Sequence, residues 1–498
     1  MQYVSTREGK NHFSAAQAIV RGISEEGGLY VPAFFPNIAL NEIGAMAGMS
    51  YQERACTVLG KFLTDFAAEE IREMVAAAYG SGFDEQEIVP IREIDRGRAV
   101  AELWHGPTLA FKDMALQLLP HLMTASAAHV GEKREIVILA ATSGDTGKAA
   151  LEGFADVKGT RCVVFYPKDG VSQAQRLQMV TQEGENTHVI AVRGNFDDAQ
   201  TGVKRIFGDS AARDWMDSQG RVFSSANSIN WGRLAPQIVY YFSAYADSVR
   251  AGRIALGDQL NFVVPTGNFG NILAAVYARN MGLPVGRLIC ASNRNCVLAD
   301  FLKNGVYDAR RAFYQTTSPS MDILISSNLE RMLFEISGRD AAQVVQWMDA
   351  LKKEGCYRVE GEAFSKLQEG IWGGWAEDQA VSETIGQTWA QAGYLSDPHT
   401  AVALNVHRQY VEATGDERPA VIMSTASPFK FGRIVLEALE GDVQAQDDFE
   451  CCRLLSQKTG WTLPRAIADL PEKPVRHCAE CEPAAMMDLV KQIILKES

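Results

Sequence analysis

From about residue 99 onward, short apolar runs alternate along the chain with segments that carry apolar residues at helical spacing. This alternation is typical of parallel α/β architecture, because neighbouring parallel strands need a long crossover that is usually a helix. A ligand in such a sheet binds at the carboxyl ends of the strands, so the loops that follow the apolar runs are the candidate sites. The runs that we predict to be strands are 136–142, 162–167, 188–192, 261–267, 287–292 and 420–425.

The chain on either side of this region has other patterns. Three segments within residues 1–98 carry apolar residues three and four positions apart, which predicts helices, and GGLYVP at 27–32 predicts a turn and a short extended piece. Residues 372–375, with two Trp and two Gly, predict a packing element. After about residue 445 the chain is weakly patterned. We therefore expect a mainly helical N-terminal domain over residues 1–98.

Composition limits the classes of partner. The chain has 61 Asp and Glu against 48 Lys and Arg, a net charge of −13, which argues against nucleic-acid binding but not against a local basic pocket for a small anion. No apolar run approaches 18 residues, and the start of the chain lacks the pattern of a secretion signal. Nine cysteines at irregular spacing suit reduced thiols, so we expect a cytoplasmic protein that does not bind a membrane.

Lys112 is the first candidate for chemistry. It lies in HGPTLAFKD (105–113), at the start of a segment with helical periodicity. A lysine whose amine is held in an apolar pocket is more readily deprotonated and can form a Schiff base with an aldehyde. The alternative, an ordinary surface cation, is the more common situation for a single lysine.

Two Gly-rich turns follow predicted strands and precede helical segments. The turn ATSGDTGKAA (141–150) is similar to a phosphate-binding P-loop but lacks the first Gly and the final Ser or Thr of that motif. The turn PTGNFGNILAA (265–275) contains Gly267 and Gly270, which allow the backbone to approach a ligand closely. Backbone N–H groups at a helix start bind anions, so each turn is a candidate anion site, and an ordinary strand-to-helix turn is the alternative.

Two further segments carry polar side chains beside predicted elements. Residues 224–230, SSANSIN, precede a helical segment on which Arg233 and Gln237 share one face, and this cluster could bind an anionic substrate or cap a helix. Thr425, in STASPFKFG (424–432), follows the last predicted strand. Its hydroxyl is a weak partner for a pyridine nitrogen and would not hold that nitrogen protonated, and a simple Ser/Thr turn is the alternative.

Together these segments closely resemble the threonine synthase family, whose members are enzymes that use pyridoxal 5′-phosphate (PLP). HGPTLAFKD, ATSGDTG, SANSIN, GNFGN, SMDI (320–323), DPHTAV (397–402) and STASPFKF occur in that family in the same order, and YVSTR and GGLYVP match its N-terminal region. The resemblance extends from residue 3 to about 435. It implies PLP fold type II, an α/β fold of two open parallel-sheet subdomains like that of the tryptophan synthase β subunit, with an additional mainly helical N-terminal domain. The catalytic domain is then 99–498, with a smaller α/β subdomain at about 125–225.

The resemblance also implies roles for individual residues. Lys112 is the lysine that forms the Schiff base with PLP, and Asp113 helps to set the start of the helix after it. Thr425 faces the pyridine nitrogen. The loop that holds the cofactor phosphate is Gly267, Asn268, Phe269, Gly270 and Asn271. The loop that holds the substrate carboxylate, near the 3′-oxygen of the cofactor, is Thr142, Ser143, Gly144, Asp145 and Thr146. The residues around the substrate phosphate are Ser225, Asn227, Ser228, Asn230 and Arg233.

The chain departs from the family pattern at four positions. Ser427 stands where the family often has His, and Phe429 where it often has Ala, which affects the shape of the site near the cofactor ring. Asn271 replaces a common Asp and so removes one negative charge beside a bound dianion. Lys148 occupies a position that is commonly a small residue.

The implied reaction converts O-phospho-L-homoserine and water to L-threonine and phosphate, the last step of threonine biosynthesis, with Lys112 as general base and acid. Two alternatives are another PLP elimination enzyme, such as a serine or threonine dehydratase, and a PLP-binding pseudo-enzyme. The cluster at 224–233 favours a substrate with a phosphate, and Lys112 argues against a protein that only binds. We expect a monomer or homodimer that acts on a small molecule.

The sequence HCAEC at 477–481 contains a Cys-x-x-Cys pair. A zinc site needs about four ligands and usually a second pair, and the adjacent Cys451 and Cys452 have the wrong spacing. We therefore expect no metal and interpret these cysteines as buried or surface thiols. His105 could line the pocket, and a structural histidine with both ring nitrogens satisfied is the alternative.

Overall fold

The protein folds around two parallel sheets. The computed structural model describes residues 1–142, 144–445 and 447–496, with Lys496 described by its backbone alone. The strands within these ranges are β1 (Tyr3–Ser5), β2 (Tyr30–Pro32), β3 (Ile91–Glu93), β4 (Arg98–Glu102), β5 (Glu135–Ala141), β6 (Thr160–Pro167), β7 (Thr187–Val192), β8 (Arg221–Ser224), β9 (Leu260–Pro265), β10 (Val285–Ser292), β11 (Val306–Asp308), β12 (Cys356–Arg358), β13 (Ile371–Trp375), β14 (Ala420–Ser424) and β15 (Ala479–Cys481).

Helices connect the strands and cover both faces of each sheet. Several begin at a capping box, in which the side chain of a Ser or Asn satisfies a free N–H of the first turn, as Ser50 and Asn195 do. The helices are α1 (Ala15–Arg21), α2 (Leu40–Ala45), α3 (Tyr51–Phe62), α4 (Ala68–Ala78), α5 (Asp113–Leu116), α6 (Leu119–Val130), α7 (Asp145–Phe154), α8 (Gln173–Val180), α9 (Phe196–Gly208), α10 (Ser210–Ser218), α11 (Trp231–Arg250), α12 (Gly270–Asn280), α13 (Val297–Asn304), α14 (Leu329–Ile336), α15 (Ala341–Glu354), α16 (Gly361–Gly370), α17 (Asp378–Ala392), α18 (Pro398–Thr414), α19 (Gly432–Glu440), α20 (Asp448–Thr459), α21 (Arg465–Ala468) and α22 (Met486–Lys496).

The larger sheet has six strands in the order β13-β10-β9-β14-β4-β3. Its neighbouring pairs are parallel except β3 with β4, which form an antiparallel hairpin. The register places Ile422 of β14 opposite Val100 of β4 and Val263 of β9. These three side chains share the core on one face, and Val421 belongs to the core on the other face, which it shares with the N-terminal helices. Alternation of this kind buries both faces of a parallel sheet.

The smaller sheet has five parallel strands in the order β15-β7-β6-β5-β8. All eight residues of the central strand β6 are buried, which explains the continuous apolar run at 162–167 that follows Thr160 and Arg161. One face packs on α7, and the other packs on α9 and α22. The edge strand β15 comes from the C-terminal part of the chain and pairs with β7.

The N-terminal region packs against α11. The rings of Tyr3 and Phe62 lie 5.2 Å and 5.3 Å from that of Trp231, the first residue of α11. Arg54 on α3 forms two charged hydrogen bonds of 2.8 Å with Asp247 on α11. Because α11 directly follows the SSANSIN segment, the N-terminal region braces the helix that carries Arg233.

The structure confirms the α/β fold with two parallel sheets. Each of the six predicted strands is present, with bounds within two residues of those expected. The strands β3, β4, β8, β13 and β15 are not among those predicted, and the hairpin of β3 and β4 spans the predicted domain boundary at residues 98 and 99. None of the helices in the described part of the chain is long and apolar enough to cross a membrane.

Candidate active site

Lys112 is presented by a tight turn between β4 and α5. Asp113 accepts hydrogen bonds from the backbone N–H of Thr108 at 2.8 Å and from its hydroxyl at 2.7 Å. Glycine is required at 106, because a Cβ there would lie 2.6 Å from the Asp113 side chain. Burial raises the pKa of Asp113 to about 6. Asp113 therefore fixes the turn that sets the position of Lys112.

The amine of Lys112 reaches a buried polar cluster. Its Nζ lies 3.3 Å from Oδ2 of Asp145 and 3.2 Å from Oγ of Ser320, and the Ser320 hydroxyl lies 3.1 Å from the same Asp145 oxygen. Lys430 holds the other oxygen of Asp145 at 2.8 Å and donates to the carbonyl of Thr108 at 2.9 Å. One carboxylate thus lies between two lysine side chains.

The charges of this cluster influence one another strongly. Burial lowers the pKa of Lys112, and Lys430 and Arg233 lower it further against the attraction of Asp145. Burial opposes ionisation of Asp145, yet Lys430 and Lys112 hold its pKa well below the usual range. Asp145 is also the first residue of α7, where the helix dipole favours an anion. The arrangement favours an ionised Asp145 and a Lys112 that loses its proton more readily than an exposed lysine.

The sequence predicts Lys112 and Asp145 but misses three residues of this cluster, namely Lys430, Ser320 and His399. The backbone N–H of Ser320 donates to Nε2 of His399 at 3.2 Å, and the other ring nitrogen of His399 lies 2.8 Å from a carboxylate oxygen of Asp397. The missed residues lie in STASPFKF, SMDI and DPHTAV, segments that carry the family resemblance, and this is the signal that could have identified them.

The loop predicted to hold a phosphate opens α12. Phe269 has a φ of 63°, a left-handed conformation, and the helix begins at the next residue, Gly270. A Cβ on Gly267 would lie 2.8 Å from the carbonyl oxygen of Ser320. The loop therefore packs directly on the segment that contacts Lys112, and the start of α12 faces the same site.

Asn271, in the first turn of α12, has an unusual hydrogen-bond pattern. Its Oδ1 accepts hydrogen bonds from the hydroxyls of Tyr240 at 2.7 Å and Tyr241 at 2.6 Å. Its Nδ2 is buried and has no hydrogen-bond partner among the described residues. A buried amide donor at a helix start is suited to an anionic oxygen atom.

The predicted substrate-phosphate cluster lies next to this loop. Asn328 joins the two, because its Nδ2 donates to Oγ of Ser228 at 3.3 Å and its backbone N–H donates to the carbonyl of Asn268 at 3.1 Å. Ser225 and Asn227 form a local turn in which the Asn227 N–H donates to the Ser225 hydroxyl at 3.2 Å. Asn328 therefore connects Ser228 to the loop before α12.

Arg233 is buried within the same region, with 3% of its surface exposed. Its Nη1 donates to the carbonyl of Ala226, and its Nε has no partner in the described part of the chain. Burial lowers its pKa to about 10. A buried guanidinium with an unsatisfied N–H is suited to a phosphate or a carboxylate.

Asn230 holds the helix start in place. Its Oδ1 accepts a hydrogen bond from the N–H of Gly232 at 2.8 Å, which caps α11, and its Nδ2 donates to the carbonyl of Ile19 at 2.9 Å. The contacts of Asn230 therefore tie the SSANSIN segment to α1.

The predicted carboxylate loop forms a strand-to-helix turn. The hydroxyl of Thr142 accepts a hydrogen bond from the N–H of Gly144 at 3.0 Å, and Gly144 has a φ of 143°. Thr146 is partly buried in the first turn of α7, and Ser143 lies outside the described residues. The turn carries Asp145 into contact with the lysine cluster.

Thr425 follows β14 and lies beside the turn that presents Lys112. Its carbonyl accepts a hydrogen bond from the N–H of Phe111 at 2.9 Å.

The hydroxyl of Ser427 accepts a hydrogen bond from the N–H of Phe429 at 3.4 Å, and both residues are buried. These two departures from the family pattern thus form the start of the short 3-10 helix Pro428–Phe431.

Two other sequence features lie apart from this cluster. His105 is buried, with one ring nitrogen 3.0 Å from Glu102 and the other 2.7 Å from Asp84, which fits the structural alternative. Cys478 is exposed and Cys481 is buried. Within the described ranges there is no group of three or more His, Cys, Asp or Glu side chains placed to hold a metal ion.

Comparison with known proteins adds to this geometry. Residues 2–79 match the family model "Threonine synthase N terminus", residues 100–426 match "Pyridoxal-phosphate dependent enzyme", and residues 400–494 match "Threonine synthase, C-terminal". The threonine synthase of Pseudomonas aeruginosa is 38% identical over 96% of this chain and 95% of its own length. This chain belongs to the threonine synthase family.

Other members of the threonine synthase family differ in length. Threonine synthase-like 1 of Pongo abelii is 40% identical over 88% of this chain, and this chain spans 60% of the length of that relative. The crystal structure of PLP-bound threonine synthase from Brucella melitensis is 37% identical, covers 99% of both chains and has a TM-score of 0.88. The expected PLP fold type II is confirmed.

Proposed function

We propose that this protein uses PLP to convert O-phospho-L-homoserine and water to L-threonine and phosphate. The observation that carries this proposal is the position of the Lys112 amine. It lies in a buried polar cluster, 3.3 Å from Asp145, and the Gly-rich start of α12 packs beside it through Ser320. Membership of the threonine synthase family supports the same reaction.

The residues around Lys112 fit PLP. The cofactor needs an amine for its aldehyde and donors for its phosphate, and we assign these to Lys112 and to residues 267–271. The buried Nδ2 of Asn271 has no partner among the described residues, which suits a phosphate oxygen, and Gly267 lets this loop pack directly against Ser320 beside Lys112. Thr425 is assigned to the pyridine nitrogen. When bound, PLP stabilises negative charge at the substrate Cα and so makes the hydrogen atoms on Cβ acidic.

Lys112 is the residue that moves protons. Burial lowers the pKa of Lys112, so Nζ is more readily neutral and available to accept a proton from Cα of the substrate and to return one later. Asp145 and Ser320 lie within hydrogen-bond distance of Nζ and so restrict the position of the amine. Asp113 affects the position of Lys112 indirectly, because it accepts the hydrogen bond from Thr108 that holds the turn in place.

We assign the two ends of the substrate to two helix starts. The carboxylate lies at the start of α7, in the loop from Thr142 to Thr146, where backbone N–H groups bind anions. The phosphate lies at the start of α11, where Ser225, Asn227, Ser228 and Arg233 supply donors and Asn230 holds the segment. The buried guanidinium of Arg233 stabilises the phosphate as it leaves Cγ.

We also propose the surroundings in which this chemistry takes place. The protein acts in the cytoplasm as a monomer or homodimer, on a small molecule and without a nucleic-acid or membrane partner. Residues 1–98 form the N-terminal domain, residues 99–498 form the catalytic domain, and about 125–225 form its smaller subdomain.

Borohydride reduction of the protein with bound PLP tests the assignment. Peptide mapping should find the pyridoxyl label on Lys112, and Lys112→Ala should abolish both the label and turnover, whereas Lys148→Ala should keep both. Added O-phospho-L-homoserine should yield threonine and phosphate in equal amounts. A keto acid from serine or threonine would identify a dehydratase instead, and a label without any turnover would identify a pseudo-enzyme. A wild-type protein with no label on Lys112 would overturn the proposal.

A further inference from the structure

Lys430 is a second buried lysine in the site, and the reaction proposed above gives it no role. Its side chain is 2% exposed, and its Nζ lies 2.8 Å from Oδ1 of Asp145. It also donates to the carbonyl of Thr108 at 2.9 Å. The short helix Pro428–Phe431 that carries it begins three residues after Thr425. A lysine this deeply buried is uncommon unless it is paired.

The formal charges of three side chains indicate what Lys430 does. When Lys112 and Lys430 are both protonated, the buried cluster with Asp145 carries one net positive charge, and when Lys112 is neutral the cluster carries none. Without Lys430, the negative charge of an ionised Asp145 is balanced within the remaining pair only when Lys112 is protonated. Burial disfavours net charge, so Lys430 changes which protonation state of Lys112 the site prefers.

We propose that Lys430 is a positioning residue that keeps the Lys112 amine neutral, because its own positive charge balances the negative charge of Asp145. The inference rests on the proposed function, since it concerns the lysine assigned to PLP. A neighbouring cation is an established means of activating a lysine amine.

Other charged groups also face this cluster. Arg233, on α11, acts on Lys112 in the same direction as Lys430, and His399, on α18, acts on Asp145. Asp113, on α5, is influenced by Lys430. The contacts single out Lys430, because its Nζ lies at ion-pair distance from the carboxylate that also contacts Lys112.

A neutral Lys112 is needed for capture of the PLP aldehyde. The nitrogen lone pair forms a bond to the aldehyde carbon, which becomes a C=N bond, and the aldehyde oxygen leaves as water with the two protons of the amine. A protonated amine has no lone pair and must first release a proton to solvent. Lys430 therefore sets the pH at which Lys112 captures PLP.

The experiment measures this pH dependence on the full chain after removal of PLP. The rate of pyridoxyl incorporation at Lys112 is followed by borohydride trapping and peptide mapping. Lys430→Met and Lys430→Gln should raise the pH midpoint of capture by about one unit, which is about a tenfold slower capture at neutral pH. Lys430→Arg keeps the charge and should remain near wild type. Lys148→Met, which removes a partly buried lysine that pairs with Glu152 on the same helix as Asp145, should leave the midpoint unchanged.

An unchanged midpoint in both the Met and the Gln variants would overturn the proposal. If neither variant folds, NMR of wild-type protein labelled with ¹⁵N-lysine decides, because Lys112 should lose its ammonium signal at a lower pH than Lys430, and the reverse order refutes the inference. Absence of any pyridoxyl label on wild-type Lys112 counts instead against the proposed function, so the two failures are distinguishable.

Discussion

Asn328 donates a hydrogen bond from Nδ2 to the hydroxyl of Ser228 at 3.3 Å and so joins the loop before α12 to the segment before α11. Its Oδ1 accepts a hydrogen bond from the buried Arg331, whose Nε donates to the carbonyl of Tyr30 in β2 of the N-terminal region. One asparagine thus couples three parts of the chain that are distant in sequence. It belongs to neither of the motifs that it connects.

Substitution Asn328→Ala should weaken binding of both PLP and O-phospho-L-homoserine. It removes the side-chain hydrogen bond to Ser228, keeps the backbone hydrogen bond to Asn268, and leaves a buried Arg331 donor unpaired, at a cost of about 1–3 kcal/mol. We expect the dissociation constant for PLP and the KM for substrate each to rise about tenfold, as measured by absorbance titration and steady-state kinetics. Ser228→Ala is the comparison, since it removes the same hydrogen bond but keeps the contact of Arg331 with Asn328, and should therefore raise KM more than it weakens PLP binding. Unchanged PLP affinity in Asn328→Ala would contradict this role.

Substitution Arg233→Ala should impair use of the substrate far more than binding of PLP. Loss of a buried guanidinium that contacts a phosphate is expected to lower kcat/KM by about a hundredfold, or about 3 kcal/mol. Affinity for PLP should stay within about threefold of wild type. Arg193→Ala, at an exposed position, should change neither quantity. Equal loss of PLP affinity and kcat/KM would remove Arg233 from the substrate site.

His105 should make stability depend on pH. Burial lowers its pKa, but the hydrogen bonds to Asp84 and Glu102 outweigh this effect and raise the pKa from 6.5 to about 9. Because the folded pKa is the higher one, the stabilisation is complete below pH 6.5 and is lost as the pH rises through about 9. The full effect is about 3 kcal/mol.

Urea unfolding of wild type and His105→Asn at a low and a high pH measures this contribution. The free energy of unfolding should fall less between the two pH values in His105→Asn than in wild type. His12→Asn, at an exposed position, should behave as wild type does. The same pH dependence in wild type and His105→Asn would show that the ion pairs of His105 contribute nothing.

Substitution Arg54→Ala should destabilise the protein by about 1–3 kcal/mol, because Asp247 loses its buried partner on α3 and retains the half-exposed Arg250 at 3.0 Å. Urea unfolding gives the change in free energy. The matched control is Arg72→Ala, which removes an exposed ion pair with Glu69 and should change stability by less than about 1 kcal/mol. A similar effect of both substitutions would show that the buried pair does not anchor the N-terminal region.

The sequence predicts the interior strands of both sheets, with the exception of β4, and misses the edge strands. Strand β6 is covered on both faces, so six of its eight residues, 162–167, form a continuous apolar run that a local pattern reveals. Strand β15 has three residues with Glu480 at its centre, and β13 contains two glycines, so neither has such a run. Their pairing with β7 and β10 depends on contacts between parts of the chain that are far apart in sequence.

The candidate site shows the same limit. Lys112 and Asp145 each lie in a recognisable local motif, but the contact of Asp145 with Lys430 joins residues 285 positions apart and depends on where the 3-10 helix Pro428–Phe431 lies relative to the start of α7. Asn230 illustrates the converse. It stands in a predicted substrate cluster, yet both polar groups of its side chain are used to cap α11 and to hold α1. Local sequence does not reveal which acceptor a side chain reaches.

The pairing of β15 with β7 has a practical consequence for protein production. A shortened gene that ends before residue 479 would expose the backbone of β7 and the apolar surface that α22 covers. Open edges of this kind recruit strands from other molecules, so such a fragment should aggregate during expression even though it retains every residue assigned to the chemistry.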